Sequence, residues 1–286
     1  MVLRGRFMDN RPIGFFDSGL GGLTCIPYLL TALPNERIVY FGDTARTPYG
    51  SKAPSTITKF ASEITDFLIG NRDVKMVAIA CNTVSAVAIE DLRSSHPETP
   101  ILGIIAPASH AVAKICKPEN RIGVIGTKAT IRSGVYTEMI LARNPKLKIY
   151  QHACPALVPL IEEGIADNRV MDLTIEYYLD AFLSLNVIDT LVLGCTHYPL
   201  IRENITRLYP GLRIVDPSEE MLRSIEDALE SNGIAAEEQE PDHKFYASDL
   251  SENFVNMIDI IFSGTGYPVS FDTFDLETFL ERRGLK

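Results

Sequence analysis

The chain has 286 residues, 46% apolar and 22% charged, the makeup of an ordinary soluble globular protein of two modest domains or one large one. Its formal net charge of −10 excludes a non-specific nucleic-acid binder, which needs clustered Lys and Arg to meet phosphates. An anionic small molecule is not excluded, because a local pocket can oppose the global sign. The opening residues MVLRGRFMDNRP carry no long apolar stretch, so no export signal is expected, and no apolar run is long enough for a membrane span. The five cysteines are widely spread, with no C-x-x-C and no metal-type spacing. Reduced thiols in a cytoplasmic protein, without a bound metal, are the expectation.

Taken in order, short apolar runs alternate with helical patterns. Strands are expected at Ile13–Phe16, Ile38–Phe41, Met76–Ala80, Ile101–Ile105, Ile122–Ile125, Leu147–Tyr150, Leu191–Leu193, Arg213–Val215 and Phe245–Ala247. Helices are expected at Ser55–Ile69, Thr83–Ser94, Ala108–Cys116, Ile131–Ala142, Val170–Leu185, Leu200–Leu208, Ser218–Glu230 and Ser251–Phe262. Ser55 and Ser218 are the expected N-caps of their helices. In Val170–Leu185 the acids Asp172, Glu176 and Asp180 share a face that is expected to be solvated. The polar, acidic Ser231–Asp242 is expected to be a surface connection. Strand–helix alternation with short loops predicts an α/β protein with mainly parallel sheets covered on both faces.

A weak internal repeat runs through this pattern. IGFFDSG (13–19) resembles IGVIGTK (122–128), and MVAIACNT (76–83) resembles TLVLGCTH (190–197). The spacing from the first motif to the following Cys is nearly equal in the two halves, which fits a duplicated α/β unit. In open α/β sheets the C-terminal strand ends are where ligands bind. Cys81 and Cys195 each close an apolar strand and precede an expected helix start. Unpaired N–H groups there would favour a thiolate and bring its pKa towards neutrality. The plain alternative is a buried core cysteine, and Cys25, Cys116 and Cys154 are assigned to it. Two such thiols suit a redox pair, a single covalent nucleophile, or proton transfer at a carbon from opposite faces. The last needs each group to act as acid in one direction and base in the other.

Other polar residues collect at the same strand ends. Asp17 and Ser18 lie in FFDSGLGG, whose glycines do not have the spacing of a dinucleotide-binding loop. Tyr49 and Gly50 end the turn-rich GDTARTPYG. His197 stands two residues from Cys195, where an imidazole could tune a thiol. Thr127 and Thr130, in GTKAT, could offer hydroxyls to a carboxylate, with the backbone N–H groups beside them. Glu162 and Glu163 end an apolar segment, and one of them could point inward.

In combination the motifs GFFDSGLGGLT, YFGDTARTPYG, ACNTVSA, GVIGTKAT, VPLIEEG and LGCTHYPL resemble those of the cofactor-independent glutamate racemases of the aspartate/glutamate racemase family. The similarity runs from about Arg11 to Phe262. It implies two similar doubly wound, flavodoxin-like domains with the active site in the cleft between them. The expected division is 1–106 plus 217–286 for the first domain and 107–216 for the second. It implies Cys81 and Cys195 as the two acid/bases, with Asp17, His197 and Glu162 assisting. Cys81 would take the proton of D-glutamate and Cys195 that of L-glutamate. Asp17, Ser18, Tyr49, Gly50, Asn82, Thr83, Thr127, Thr130, Thr196 and His197 would contact substrate.

The expected function is interconversion of L- and D-glutamate without cofactor or metal, supplying D-glutamate for peptidoglycan. The expected partner is the small-molecule substrate, with no nucleic acid and no membrane. A homodimer is compatible with the chain, and its interface is left open by the sequence. Two alternatives stand beside this reading: a related two-Cys racemase acting on aspartate or a hydantoin, and a small-molecule binding protein whose thiols are structural.

Overall fold

The computed structural model describes residues 8–237, 242–263, 265–267 and 269–282. Within them the strands are β1 (Ile13–Asp17), β2 (Ile38–Gly42), β3 (Met76–Ile79), β4 (Ile101–Gly103), β5 (Arg121–Gly126), β6 (Lys148–Ala153), β7 (Thr190–Gly194), β8 (Arg213–Val215), β9 (Lys244–Ala247) and β10 (Phe271–Thr273). They form two sheets, ordered β10-β9-β2-β1-β3-β4 and β6-β5-β7-β8. Every pairing is parallel. The same winding, 2-1-3-4, therefore occurs twice. In each sheet the chain goes out one way from its first strand and then crosses back, between β1 and β3 and between β5 and β7. Such a switch point opens a crevice at the C-terminal strand ends.

The helices are α1 (Ile26–Ala32), α2 (Pro54–Arg72), α3 (Asn82–Val87), α4 (Ile89–Ser95), α5 (Ile105–Ile115), α6 (Lys128–Ser133), α7 (Val135–Arg143), α8 (Leu157–Glu162), α9 (Arg169–Asn186), α10 (Arg202–Leu208), α11 (Pro217–Asn232), α12 (Glu252–Phe262) and α13 (Leu276–Arg282). None is long and apolar enough to cross a membrane.

Side-chain alternation on the strands divides the core. Ile13 and Phe15 of β1 with Met76 and Ala78 of β3 face a core that continues through the second sheet. Phe16, Val77 and Ile79 face the other way, onto Ile57, Ala61, Ile64, Phe67 and Leu68 of α2. The central strands β1, β2 and β3 are buried along their whole length and on both faces, which is why they read as unbroken apolar runs. Fully burying a side chain such as Phe15 contributes roughly 1.5–3 kcal/mol.

The nine expected strands are present, with ends shifted by at most three residues, and β10 is additional. Several helical expectations need correction. Thr83–Ser94 is two helices that meet at Ala88, and Ile131–Ala142 is interrupted at Gly134, whose φ of 72° is left-handed. Ser55 is not a cap: α2 starts at Pro54 with Ala53 before it, because proline suits the first helical position. Asp216, not Ser218, caps α11, its side chain accepting from the Ser218 N–H. Asp172 is not solvated; it is buried and accepts from Asn204 and Arg207. Of the expected Ser231–Asp242 connection, residues 238–241 lie outside the described residues, and Ser231 and Asn232 still belong to α11.

Candidate active site

The C-terminal ends of β1, β3, β5 and β7 converge, so the two switch points face each other across one cavity of about 130 Å³. Cys81 follows β3 and is the N-cap residue of α3. Cys195 follows β7 and precedes a turn of 3-10 helix at Tyr198–Ile201 that carries Pro199 near its start. Both thiols line the cavity, with Ser18, Tyr49, Gly50, Asn82, Thr83, Thr127, Thr196 and His197. Asp17, Thr130 and Glu162 stand one layer behind and reach the cavity through neighbours.

Those neighbours are specific. Thr196 Oγ1 donates to Asp17 Oδ1 at 3.3 Å, and Asp17 Oδ2 accepts from the Gly19 N–H at 3.0 Å. Thr130 closes a triangle of hydroxyls with Thr83 and Thr127, at 3.0 to 3.3 Å. Glu162 Oε1 lies 3.0 Å from His197 Nε2, and His197 Nδ1 lies 3.9 Å from Cys195 Sγ. Glu162, rather than Glu163, is thus the acid of VPLIEEG that meets the site. Cys81 Sγ donates to Ser18 Oγ at 3.3 Å.

The electrostatics differ between the two thiols. Burial pushes the Cys81 thiol up to about 12, and the nearby Asp17 carboxylate adds to this. The Ser18 hydroxyl and the N–H groups of Val84 and Ser18 pull the other way and do not offset burial. The expectation that a helix start would depress this thiol is therefore wrong for Cys81; desolvation of a thiolate at a sealed helix end outweighs the helix N–H groups. Burial alone would lower His197, but the Cys195 sulfur and the Glu162 carboxylate outweigh it and hold the imidazole well above its ordinary value. The His197 ring thus stands between the Glu162 carboxylate and the Cys195 sulfur. Asp17 is raised by burial, with His197 and its hydrogen bonds opposing.

The loop from β2 is braced separately. Asp43 is fully buried and accepts from the Tyr49 hydroxyl, from Arg46 Nε at 2.7 Å and from Ser248 Oγ at 3.0 Å. Arg46 also pairs with Glu63 and lies 4.1 Å over the Phe60 ring. Tyr49 therefore turns its hydroxyl away from the cavity. Gly50 packs so closely on Thr127 that an added Cβ would lie 2.6 Å from the Thr127 Cβ.

Sequence reasoning missed three residues here. Cys154, assigned to the core, is fully buried yet forms part of the cavity wall. Asp43 stands at a strand end but carries its charge inward. Tyr136 reaches Asn82 from behind. Tyr136 carries no local sequence signal, since it is brought in by the packing of a distant element, whereas Cys154 directly follows β6, a strand that the sequence pattern ends three residues early, at Tyr150.

Comparison with known proteins agrees with this geometry. The Asp/Glu/Hydantoin racemase family matches residues 25–225. The chain is 42% identical over 252 residues to the glutamate racemase of Geobacter metallireducens, covering 87% of this chain and 92% of that one. A crystal structure of glutamate racemase from Francisella tularensis in complex with D-glutamate superposes with a TM-score of 0.87 at 36% identity, covering 95% and 100% of the two chains. A glutamate racemase isoform from Bacillus anthracis gives 0.86 at 33%, covering 94% and 98%. With two opposed thiols in one cleft and this breadth of similarity, the chain belongs to the Asp/Glu/Hydantoin racemase family.

Proposed function

We propose that the protein interconverts L- and D-glutamate by proton transfer at Cα between two thiols. The observation that carries this reading is the placement of Cys81 and Cys195 at opposed switch points of two like-wound sheets, both facing one small cavity. A substrate Cα held between them has one thiol on each face. Cys195, as thiolate beside the His197 imidazolium, takes the proton of L-glutamate, and the protonated Cys81 returns one from the other side. D-glutamate runs the same steps in reverse. The glutamate-bound Francisella tularensis relative supports the substrate.

The Cα proton is weakly acidic, so the developing carbanion needs fixed donors in a water-poor site. The hydroxyls of Thr83 and Thr127 and the N–H groups opening α3 and α6 are such donors. Asp17, acting through Thr196 and the Ser18 turn, favours a protonated substrate ammonium, which acidifies Cα. Glu162 acts on Cys195 through His197. We further propose that residues 1–106 with 217–286 form one domain and 107–216 the other, which agrees with the strand membership of the two sheets. The D-glutamate product fits a cytoplasmic supply for peptidoglycan.

The test is circular dichroism of L- or D-glutamate incubated with the protein without added cofactor. Decay of either signal to zero, with deuterium entering Cα in D₂O, is the expected result. A persistent signal and no exchange would sink the reading. Aspartate tested in parallel is expected to racemise far more slowly.

A further inference from the structure

Asn82 opens α3 beside Cys81 and lines the cavity while only 3% exposed. Its Oδ1 accepts a 2.6 Å hydrogen bond from the Tyr136 hydroxyl. Its Nδ2 is buried and has no partner. A buried N–H₂ without an acceptor is costly, so it points to a ligand that supplies one. Tyr136 is fully buried on α7, with its ring against Gly194 at the end of β7. The bond thus reaches from the layer beside Cys195 to the residue beside Cys81. An amide offers one accepting and one donating end. With Tyr136 on the oxygen, the cavity is left with the donor, which suits a carboxylate and not an ammonium. Burial also keeps the Tyr136 phenol protonated, so that it can donate.

We propose that Tyr136 is a positioning residue for racemisation: it locks the Asn82 amide with its NH₂ towards the cavity, where that group donates to a substrate carboxylate. This rests on the glutamate reading above. Without the phenol the amide is free to turn, and a turned amide presents oxygen to the carboxylate.

The test is steady-state kinetics on Tyr136→Phe, Asn82→Ala, the double variant and Asn82→Asp, with thermal melts of each. Tyr136→Phe keeps the ring and is expected to raise KM for both enantiomers about tenfold, with kcat changed less than threefold. In the Asn82→Ala background the same change is expected to add nothing, because the group it positions is gone. Asn82→Asp keeps an oxygen for Tyr136 and puts a carboxylate oxygen where the NH₂ was, so KM is expected to rise more than a hundredfold. A Tyr136→Phe KM within twofold of wild type would overturn the proposal. So would an equal Tyr136→Phe effect with and without Asn82, the mark of a merely structural role. So would Asn82→Asp binding glutamate as well as wild type, since the oxygen would then face the ammonium. If Tyr136→Phe does not fold, the Asn82→Asp result decides. Wild type that fails to racemise glutamate would remove the underlying reading and this proposal with it, and the dichroism control reads that separately.

Discussion

At the residue scale the two thiols are chemically unlike although their sequence settings match. Cys81 is held as thiol by burial and by Asp17, whereas Cys195 faces an imidazolium supported by Glu162. Transfer across a carbon requires one acid and one base, and the proposed scheme gives those roles to the two thiols, exchanged between the two directions. Replacing either thiol by a hydroxyl removes one member, so Cys81→Ser and Cys195→Ser are each expected to cut racemisation by about 10²–10⁴-fold or more. Full activity in either variant, measured by dichroism, would remove the two-thiol scheme. His197 gives a pH signature. Its folded value lies well above the unfolded one of about 6.5, so its charge stabilises the fold fully below that pH. The contribution is lost as pH rises through the folded value. The melting temperature of His197→Asn is thus expected to trail wild type most at low pH and to converge on it as pH increases. A gap independent of pH between 5 and 10 would contradict the charged-imidazole assignment. Cys81, Cys195 and His197 were legible in sequence because each follows a strand end. The asymmetry of the thiols was not, because burial depth and the approach of Glu162 are set by elements far away in the chain.

At the element scale the loop after β2 shows how a site is held from outside. Asp43 collects Tyr49, Arg46 and Ser248, the last from the end of β9, so the C-terminal part of the chain braces a loop made near the N-terminus. Asp43→Ala leaves the Arg46 guanidinium, 10% exposed, without this partner. Glu63 still pairs with Arg46, so the loss is that of buried hydrogen-bond partners left unsatisfied, about 1–3 kcal/mol. Urea denaturation is expected to show that loss; a midpoint equal to wild type would contradict it. Gly50→Ala acts differently, because its new methyl would press on Thr127 across the cleft. It is expected to raise KM for glutamate about tenfold or more with little change in melting temperature, and an unchanged KM would show that the contact yields freely. The strands and long helices were readable from their apolar periods. Breaks at Ala88 and Gly134 and the short α8 and α13 were not. Six- or seven-residue helices carry too few turns for a period.

At the scale of the whole molecule, bonds across the cleft tie the halves together over the substrate site. Thr83 meets Thr127, Asn82 meets Tyr136, Asp17 meets Thr196, and Thr24 Oγ1 donates to the Thr196 carbonyl at 3.2 Å. A ligand seated among them contacts both halves, so binding and folding are linked. Symmetry sets a further constraint that no local asymmetry can evade. L- and D-glutamate have equal free energies in water, so the reaction has an equilibrium constant of one. The ratio of kcat/KM in the two directions must equal that constant for the wild type and for every active variant. The unlike thiols can therefore alter kcat and KM separately for the two enantiomers, but only together. His197→Asn and Gly50→Ala, each assayed in both directions, are expected to lower kcat/KM for L- and D-glutamate by the same factor while their individual kcat values diverge. If the ratio departs from one, or dichroism settles away from zero, then one enantiomer is being consumed by another reaction and simple proton exchange between Cys81 and Cys195 is not what the site performs.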